Sequence, residues 1–539
     1  MKKILYLIAL LLVITSCNDD FLDRKPLDKM SEEDIFNDED LLTAYVNGCY
    51  TAFPNGYNFI MLSSVTDETC NRHGGTTCLP ISRGELNPDN VTNDDWGWFK
   101  GLNYWTTAYQ YIRDINVFFE KIGSSTVAAN VKDNLSGEMK FLRAFIYSNL
   151  IWRYGGVPII SRSYTLGESD YSITRNSYDE CVEFILNDLK DAIAILPDKR
   201  DGDDWGRASA DACKALRARV LLYWASPLFN VNNDRTRWEK ASEANKEVID
   251  LPRYSLSNDY HDIFLNENNP EIIFSRQFTK SNGHNLLVNN APNGYGGNGG
   301  NCPLQNLVDD YEMKATGLKP NEVGSGYDPA HPYEGRDPRF YQTILYNGAM
   351  FKGRAVETFL PGGQDSSEGN SGWNTSLTGY YMLKFIDENQ SLSETNTNPY
   401  IYFRLGEFYL NYAEAQYYLG NEDECRWAIN EIRNRIGVEM PPVEASVSGE
   451  NLLEKVRQER RIELALEDHR YFDLRRWKLA EKYENVDAFG VDIRKENGTY
   501  IYTIKTVLER NFYPQHYFVP IPRSEIVKSN YTLKQNPEY

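Results

Sequence analysis

Apolar residues follow a helical period along most of this 539-residue chain. The clearest case is Gly137–Pro158, GEMKFLRAFIYSNLIWRYGGVP, in which apolar residues occupy nearly every side of a helical wheel. A helix that is apolar all round is buried in a larger protein, and Glu138, Lys140 and Arg143 argue against a membrane-spanning segment. The Gly-Gly-x-Pro end of the run supplies a helix stop. We therefore expect a central buried helix with other helices packed around it.

Further helices are predicted wherever apolar residues recur three and four positions apart. They cover residues 31–53, 102–122, 177–196, 209–225, 238–251, 402–419, 424–436 and 451–466. Short loops separate several neighbours, and the text AEAQYYLGNEDECRWAINEIRNRIG, with Gly420 at its turn, resembles a tetratricopeptide helix–turn–helix unit. The pattern therefore predicts an all-α, helical-repeat scaffold.

The helical pattern breaks between residues 252 and 399, which are rich in Gly, Asn, Pro and aromatic residues. So long an irregular insertion in a compact protein is usually functional. Within it, the stretch from Gly294 to Gly299 fits GxGxxG, but no strand precedes it and no helix opens after it. Without that context the motif does not predict a nucleotide site.

Charge and composition narrow the function. A net charge of −20 argues against nucleic-acid binding, which needs a basic footprint. The 37 Tyr, 10 Trp and 24 Phe are typical either of wet recognition surfaces or of large helical cores. In the arginine-rich run Arg457–Trp477, acidic residues are interleaved with the cations, which indicates a structural ion-pair lattice rather than a phosphate site.

The first residues read as a targeting signal. Lys2 and Lys3 precede the apolar run Ile4–Ile14, which is too short to cross a bilayer. The following Ile-Thr-Ser-Cys resembles a bacterial lipobox, so we expect a signal peptide at residues 1–16, acylation of Cys17 and a polar tether at 17–30. The acidic pair that follows Asn18 resembles a signal for export to the outer leaflet.

Other candidate chemistry is sparse. The seven cysteines after Cys17 are scattered, and Cys70 and Cys78 are compatible either with a disulfide or with free thiols. The acidic loop that holds Asp89, Asp94 and Asp95 is compatible with a Ca²⁺ site or, more simply, with a solvated loop, because EF-hand spacing is absent. We expect no cofactor. HExxH, GxSxG and Walker A motifs are absent, so no enzyme activity is predicted, although a glycosidase-like carboxylate pair stays an alternative.

Several ordered stretches together resemble the SusD/RagB family. They are Gly137–Pro158, Gly206-Arg-Ala208 with the helix after it, Arg336-Asp-Pro-Arg-Phe340, Asn411-Tyr-Ala-Glu-Ala415, Arg457–Trp477, Pro520-Ile-Pro522 and Gln535-Asn-Pro537. The lipobox fits the same family. One departure is Glu538, where the family often has Gly.

The resemblance implies about four tetratricopeptide-like helix pairs in one SusD-like domain at residues 31–539. The scaffold would cover about 31–251 and 400–485, and the loop-rich insertion about 252–399. It also implies a non-catalytic, lipid-anchored outer-membrane protein on the cell exterior. Such a protein captures glycans and forms a lid over its partner, a SusC-like TonB-dependent transporter. Alternatives are peptide capture as in RagB-like proteins, a glycoside hydrolase, and a structural lid without a ligand.

Family ligands bind on loops near the first helices and in the Gly-rich insertion, so the resemblance implies a set of candidate ligand-binding residues on those loops. These are Trp96, Trp98, Asn103, Asn293, Tyr295 and Trp373. Aromatic faces would stack on sugar rings, and neighbouring polar groups would bond the hydroxyls. Packing within the loops is the alternative for each tryptophan, and Trp105, inside a predicted helix, is expected to be core.

Overall fold

The computed structural model describes residues 32–75, 78–92, 102–164 and 172–539. Its helices are numbered in chain order, and α1–α8 precede the insertion. They are α1 Glu32–Asn37, α2 Glu39–Cys49, α3 Cys78–Ser82, α4 Trp105–Lys121, α5 Ala129–Tyr154, α6 Tyr178–Ile195, α7 Ala210–Ala225 and α8 Arg235–Ile249. The later helices are α9 Leu286–Asn290, α10 Gln305–Val308, α11 Pro338–Thr343, α12 Leu405–Leu419, α13 Glu422–Asn434, α14 Glu450–Glu463, α15 His469–Arg476, α16 Ala480–Tyr483 and α17 Arg523–Lys528.

The long helices form a continuous stack in which successive members pack together: α4 on α5, α5 on α6, α6 on α7, α7 on α8, α8 on α12, and α12 on α13 and α14. Taken in twos from α4, they make four pairs: α4/α5, α6/α7, α8/α12 and α13/α14. The contact between α8 and α12 closes the stack across the insertion that separates them in the chain. The predicted all-α, tetratricopeptide-like scaffold is confirmed.

Helix α5 is the buried centre of this scaffold. From Gly137 to Tyr154 almost every residue is buried, and the helix stops at Gly155, which has a φ of 74°. It begins at Ala129 rather than at Gly137, because its first turns are polar and face solvent and so carry no apolar signal. Gly137 lies inside the helix, where a Cβ would sit 2.9 Å from the side chain of Leu196.

Other helix boundaries also differ from the prediction by a few residues, and two of these differences have a clear local cause. The first predicted helix divides at Asp38, whose carboxylate accepts a hydrogen bond from the backbone N–H of Leu41 at 2.9 Å and caps α2. The helix expected from residue 402 starts only at Leu405, because Tyr400–Arg404 is a strand.

In the described part of the chain the strands form five two-stranded antiparallel sheets, and all but β9 and β10 are short. Their partners are β1 Thr69–Asn71 with β3 Asn301–Pro303, β2 Ile272–Arg276 with β8 Tyr400–Arg404, β4 Ile344–Leu345 with β7 Tyr381–Met382, β5 Met350–Phe351 with β6 Arg354–Ala355, and β9 Ala488–Glu496 with β10 Thr499–Leu508. The insertion is thus ordered, with a small core of its own around Phe351 and Tyr381. The β9–β10 hairpin and helix α15 were not predicted from the sequence.

The arginine-rich run forms a buried ion-pair lattice, as predicted. Glu463 accepts hydrogen bonds from Arg339, Arg404 and Arg435, at 2.6–2.8 Å. Elsewhere in the lattice, Arg460 bonds Asp473 at 2.7 Å. These contacts connect the C-terminal helices to strand β8 and to the insertion. The network therefore fixes the insertion on the helical scaffold.

Candidate ligand-binding site

Trp373 is the most exposed tryptophan of the described residues, with 66% of its surface accessible. It lies in the short 3-10 turn Gly372–Asn374, which the chain enters through Ser371 at a φ of 50°. A Cβ on Gly372 would lie 2.1 Å from the carbonyl oxygen of Ser367, so this tight turn requires glycine. The turn therefore presents the indole ring outward on a constrained backbone.

The segment after β1 supports Trp373 from one side. The Nε of Arg72 donates to the Trp373 carbonyl oxygen at 2.9 Å. The imidazole of His73 meets the indole edge to face, at 5.6 Å between ring centroids and 71° between planes. The Nε2 of His73 lies 2.9 Å from the Asn298 carbonyl oxygen. Three loops that are distant in sequence therefore converge at Trp373.

Asparagine side chains fix the segment that carries Arg72 and His73. The Oδ1 of Asn71 accepts the backbone N–H of His73 at 2.8 Å, which folds the chain back directly after the strand. The Nδ2 of Asn71 donates to the Oδ1 of Asn301 at 2.9 Å across the β1–β3 pair. Both amides are buried, so the position of His73 is set by hydrogen bonds that water does not compete for.

Asn293 holds the base of the loop that bears Trp373. Its Nδ2 donates to the carbonyl oxygens of Ser366 (3.0 Å) and Asn370 (2.7 Å), and its Oδ1 accepts the Tyr381 hydroxyl at 2.7 Å. The side chain has no exposed surface. In this structure Asn293 thus positions the Trp373 loop and offers no atom to a ligand, in contrast to the direct contact expected from the sequence.

Tyr295 is half-buried and turned inward. Its hydroxyl donates to the Phe351 carbonyl oxygen at 2.7 Å, and the guanidinium of Arg354 covers its ring at 3.7 Å. Arg354 in turn bonds Asp365 through both Nη atoms, at 2.7 and 2.9 Å. Burial raises the pKa of Tyr295 to about 12, with Arg354 opposing the shift. One face of this ring is therefore already occupied by an arginine.

The remaining expected residues are placed less fully. Asn103 is half-buried, and its Oδ1 has no hydrogen-bond partner within the described ranges. Trp105 is 3% exposed and packs on Tyr154, which confirms it as core. Trp96 and Trp98 lie outside the described residues, as does Cys17. No described contact joins Asn103 to the Trp373 turn.

Arg72 places a positive charge beside the Trp373 turn. In the part of the chain that the structure describes, no carboxylate bonds Arg72 or His73, and no cluster of His, Cys, Asp and Glu could hold a metal ion. Asp89, from the loop considered for Ca²⁺, pairs with Arg523 at 2.5 and 2.7 Å, whereas Asp94 and Asp95 lie outside the described residues.

The cysteines considered for a disulfide do not form one. Cys70 and Cys78 are both buried and not disulfide-bonded, and Cys70 stands opposite Cys302 in the β1–β3 register. The disulfide alternative is therefore not found.

Among the described residues no helix is long and apolar enough to span a bilayer.

The arrangement offers a flat apolar ring with a guanidinium and an imidazole beside it. Such a surface suits a ligand with one apolar face and a polar rim. Sequence reasoning missed Arg72, His73 and Asn298 as parts of this site. Arg72 contacts Trp373 across 301 residues of chain and Asn298 contacts His73 across 225, and no local motif reports such contacts.

Comparisons with family models, curated relatives and solved structures all point to the same family, that of the SusD-like proteins. A model of the SusD family matches residues 270–539, and a second model, described as starch-binding and associating with the outer membrane, matches residues 20–222. A curated relative, SusD-like protein P25 of Formosa agariphila, is 22% identical, with 97% of each chain covered.

Two solved structures from Bacteroides fragilis are similar over almost the whole chain. A SusD-like protein is 31% identical with a TM-score of 0.81, covering 96% of this chain and 100% of its own. A SusD-like carbohydrate-binding protein is 26% identical with a TM-score of 0.78, covering 92% of this chain and 99% of its own.

Proposed function

Since this chain belongs to the SusD family, we propose that it captures oligosaccharides or polysaccharide at the cell surface and delivers them to a SusC-like TonB-dependent outer-membrane transporter, without catalysis. The similar B. fragilis protein described as carbohydrate-binding supports the ligand class. The observation that carries the proposal is the Trp373 turn, which holds a large aromatic face in solvent. Burial of such a ring would be energetically favourable, so its exposure marks an interaction surface.

The chemistry of the site sets the expected affinity. Trp373 would stack on the C–H face of a sugar ring, Arg72 would donate hydrogen bonds to hydroxyl oxygens, and His73, whose Nε2–H donates to the Asn298 carbonyl oxygen, would accept a hydroxyl through Nδ1. A shallow, wet site leaves little net free energy, so we expect dissociation constants in the micromolar to millimolar range, ~4–8 kcal/mol. The net charge of −20 disfavours polyanionic glycans, so a neutral or weakly charged glycan is expected.

The other candidate residues keep a place in the proposal. Trp96 and Trp98 would extend the platform as further stacking faces, and Asn103 would contribute through the accessible part of its half-buried side chain. Tyr295 would act through its free edge, because Arg354 covers one of its faces. Asn293 would contribute by holding the Trp373 loop.

The anchoring is proposed on the sequence. Acylation of Cys17 would attach the protein to the outer membrane with the residue 17–30 tether between the lipid and the folded body. The family match described as associating with the outer membrane supports this location. A tethered capture protein gains effective concentration at a transporter beside it, even when each sugar contact is weak.

The test is a glycan array probed with lipid-free protein that begins at Asn18, followed by calorimetry on each hit and an assay for newly released reducing ends. We expect binding to one group of related glycans and no product. Released product would contradict the non-catalytic role and favour a glycoside hydrolase. Binding to a peptide library with no binding to glycans would overturn the ligand class, and binding to neither would leave a structural lid.

A further inference from the structure

A second cavity lies on the helical scaffold and shares no lining residue with the Trp373 site. It has a volume of about 440 Å³ and opens between the end of α2, the loop before α7 and strand β2. Small-molecule sites in proteins span ~300–1,000 Å³, so the space suffices for a ligand of one or two rings. Nothing in the capture proposal uses this cavity.

Aromatic side chains form its floor. Phe274 and Tyr402 are stacked at 5.5 Å, and Phe53 meets Tyr402 edge to face at 5.5 Å. Each of the three is at least 90% buried, and the Tyr402 hydroxyl donates to the Pro54 carbonyl oxygen at 3.0 Å. The floor is therefore rigid and apolar. Trp205 lies at the rim.

The polar lining carries positive charge only. Among the described residues, Arg207 and Arg276 line the cavity and no Asp or Glu does so, although the chain has 77 acidic residues against 57 Lys and Arg. Arg207 is already neutralised, because it pairs with Glu138 at 2.9 Å and donates to Asn47 at 2.6 Å. Its charge is thus committed to the scaffold.

Arg276 is different. It is the last residue of β2, its guanidinium lies 5.1 Å from the Phe278 ring and hydrogen-bonds the Tyr402 hydroxyl, and in the described residues no carboxylate pairs with it. A half-buried guanidinium beside aromatic rings loses hydration, and a hydroxyl satisfies one N–H group without neutralising the charge, which an anion would do. The planar fork of an arginine binds a carboxylate through two parallel N–H···O bonds.

We propose that this scaffold cavity binds a small sugar acid, with its carboxylate on Arg276 and its ring on the aromatic floor formed by Phe53, Phe274 and Tyr402. The amides of Asn47 and Asn282 stand among the lining residues as partners for ring hydroxyls. Ring hydroxyls can hydrogen-bond to these amides and a purely aromatic acid cannot, so the polar rim favours a hydroxylated body.

The test uses lipid-free protein that begins at Asn18, with D-glucuronate and D-galacturonate as probes, glucose and galactose as their uncharged counterparts, and benzoate as an aromatic acid. Calorimetry and saturation-transfer NMR measure each. We expect the uronates to bind at least about tenfold more tightly than the uncharged sugars, because charge-assisted bonds to Arg276 are absent from the latter. Added salt weakens only the uronates.

Variants assign the binding to this cavity. In Arg276→Gln, uronate affinity should fall about tenfold, to the level of the uncharged sugar, while circular dichroism and the thermal midpoint stay at the wild-type values. Trp373→Ala should leave uronate binding unchanged, which separates this cavity from the capture site.

Four results would overturn the proposal: equal affinity for uronate and uncharged sugar, no uronate binding at millimolar concentrations, unchanged uronate binding in Arg276→Gln, or its loss in Trp373→Ala. Binding of benzoate without binding of either uronate would contradict the proposal that the ligand is a sugar acid. If Arg276→Gln unfolds, Phe274→Leu serves as the second variant, because it removes one aromatic ring from the cavity floor and leaves Arg276 in place. Unchanged uronate affinity in Phe274→Leu would also overturn the proposal.

Discussion

Replacing Glu463 with glutamine tests the buried ion-pair lattice directly. The carboxylate has no exposed surface and accepts hydrogen bonds from Arg339 (2.8 Å), Arg404 (2.7 Å) and Arg435 (2.6 Å). Burial alone would raise the pKa of Glu463, but Arg435, Arg404 and Arg339 outweigh burial and hold it well below its ordinary value. The group is therefore ionised in the folded protein at neutral pH.

Glutamine keeps the shape of Glu463 but removes the charge and turns an NH₂ group toward the guanidinium donors. Breaking a buried ion pair by removing one partner costs ~3–5 kcal/mol. Arg339 keeps Asp337 as a partner, and both Arg404 and Arg435 keep Glu271, so each of the three cations still has a carboxylate beside it. We therefore expect Glu463→Gln to lower the free energy of unfolding by about 3 kcal/mol, the lower end of that range.

Urea unfolding followed by circular dichroism measures this loss. The matched control is Glu454→Gln, which makes the same chemical change at a side chain that is 47% exposed and pairs with Arg457 at 2.7 Å. A surface pair of this kind contributes at most ~1 kcal/mol. A loss in Glu463→Gln no greater than the loss in Glu454→Gln would refute the reasoning.

The pH dependence gives an independent check with a fixed sign. The folded pKa of Glu463 lies below its unfolded value of ~4.3. The stability that its ionised form contributes is therefore present above that pH and is lost as the pH falls toward the folded pKa. The difference in stability between wild type and Glu463→Gln should shrink on acidification below ~pH 4. A difference that grew on acidification would contradict the assignment.

Three further predictions concern the core, the anchor and the thiols. Leu142→Ala, at a fully buried position in α5, should lower the free energy of unfolding by ~2–5 kcal/mol in the same urea assay, and a loss under ~0.5 kcal/mol would contradict its burial. Cys17→Ala should release the protein from membranes in fractionation of cells that lack the transporter; firm retention would argue against acylation at this residue. In native protein lacking residues 1–17, the seven buried cysteines should react with a thiol reagent only on unfolding, and rapid labelling would contradict their burial.

The scaffold could be predicted because its signals are local. Helix α6, for example, carries a capping box in which the Ser177 side chain and Glu180 satisfy each other's backbone N–H groups, and an apolar stripe follows directly. Helix α5 shows the limit of such signals, because its exposed first turns hold no apolar stripe to mark its beginning at Ala129.

The hairpin β9–β10 was predictable in principle and was missed. Its turn is Asn497-Gly498, with φ values of 49° and 86°, a pair that strongly favours a two-residue hairpin turn. The flanking residues alternate only loosely, because much of β10 is exposed on both faces, and so the strand signal was weak.

The candidate site divides in the same way. Trp373 could be found as an aromatic residue in a Gly-rich loop, but the roles of Asn293 and His73 depend on contacts between distant segments. Composition shows only that a loop is rich in Asn. The fold shows that the Asn293 amide donates its hydrogen bonds to the carbonyl oxygens of Ser366 and Asn370. Burial, rather than residue type, separates the supporting amide from the exposed ring.

Calorimetry of Trp373→Ala with the glycan identified on the array tests the capture proposal most directly. Trp427→Ala is the matched control, because Trp427 is also exposed, at 37%, and lies on helix α13. We expect Trp373→Ala to lose ~1–3 kcal/mol of binding free energy, the range found when an aromatic side chain that stacks on a nucleobase is replaced by alanine. Trp427→Ala should bind like wild type, and both variants should stay folded. Wild-type affinity in a folded Trp373→Ala protein would contradict the proposed site.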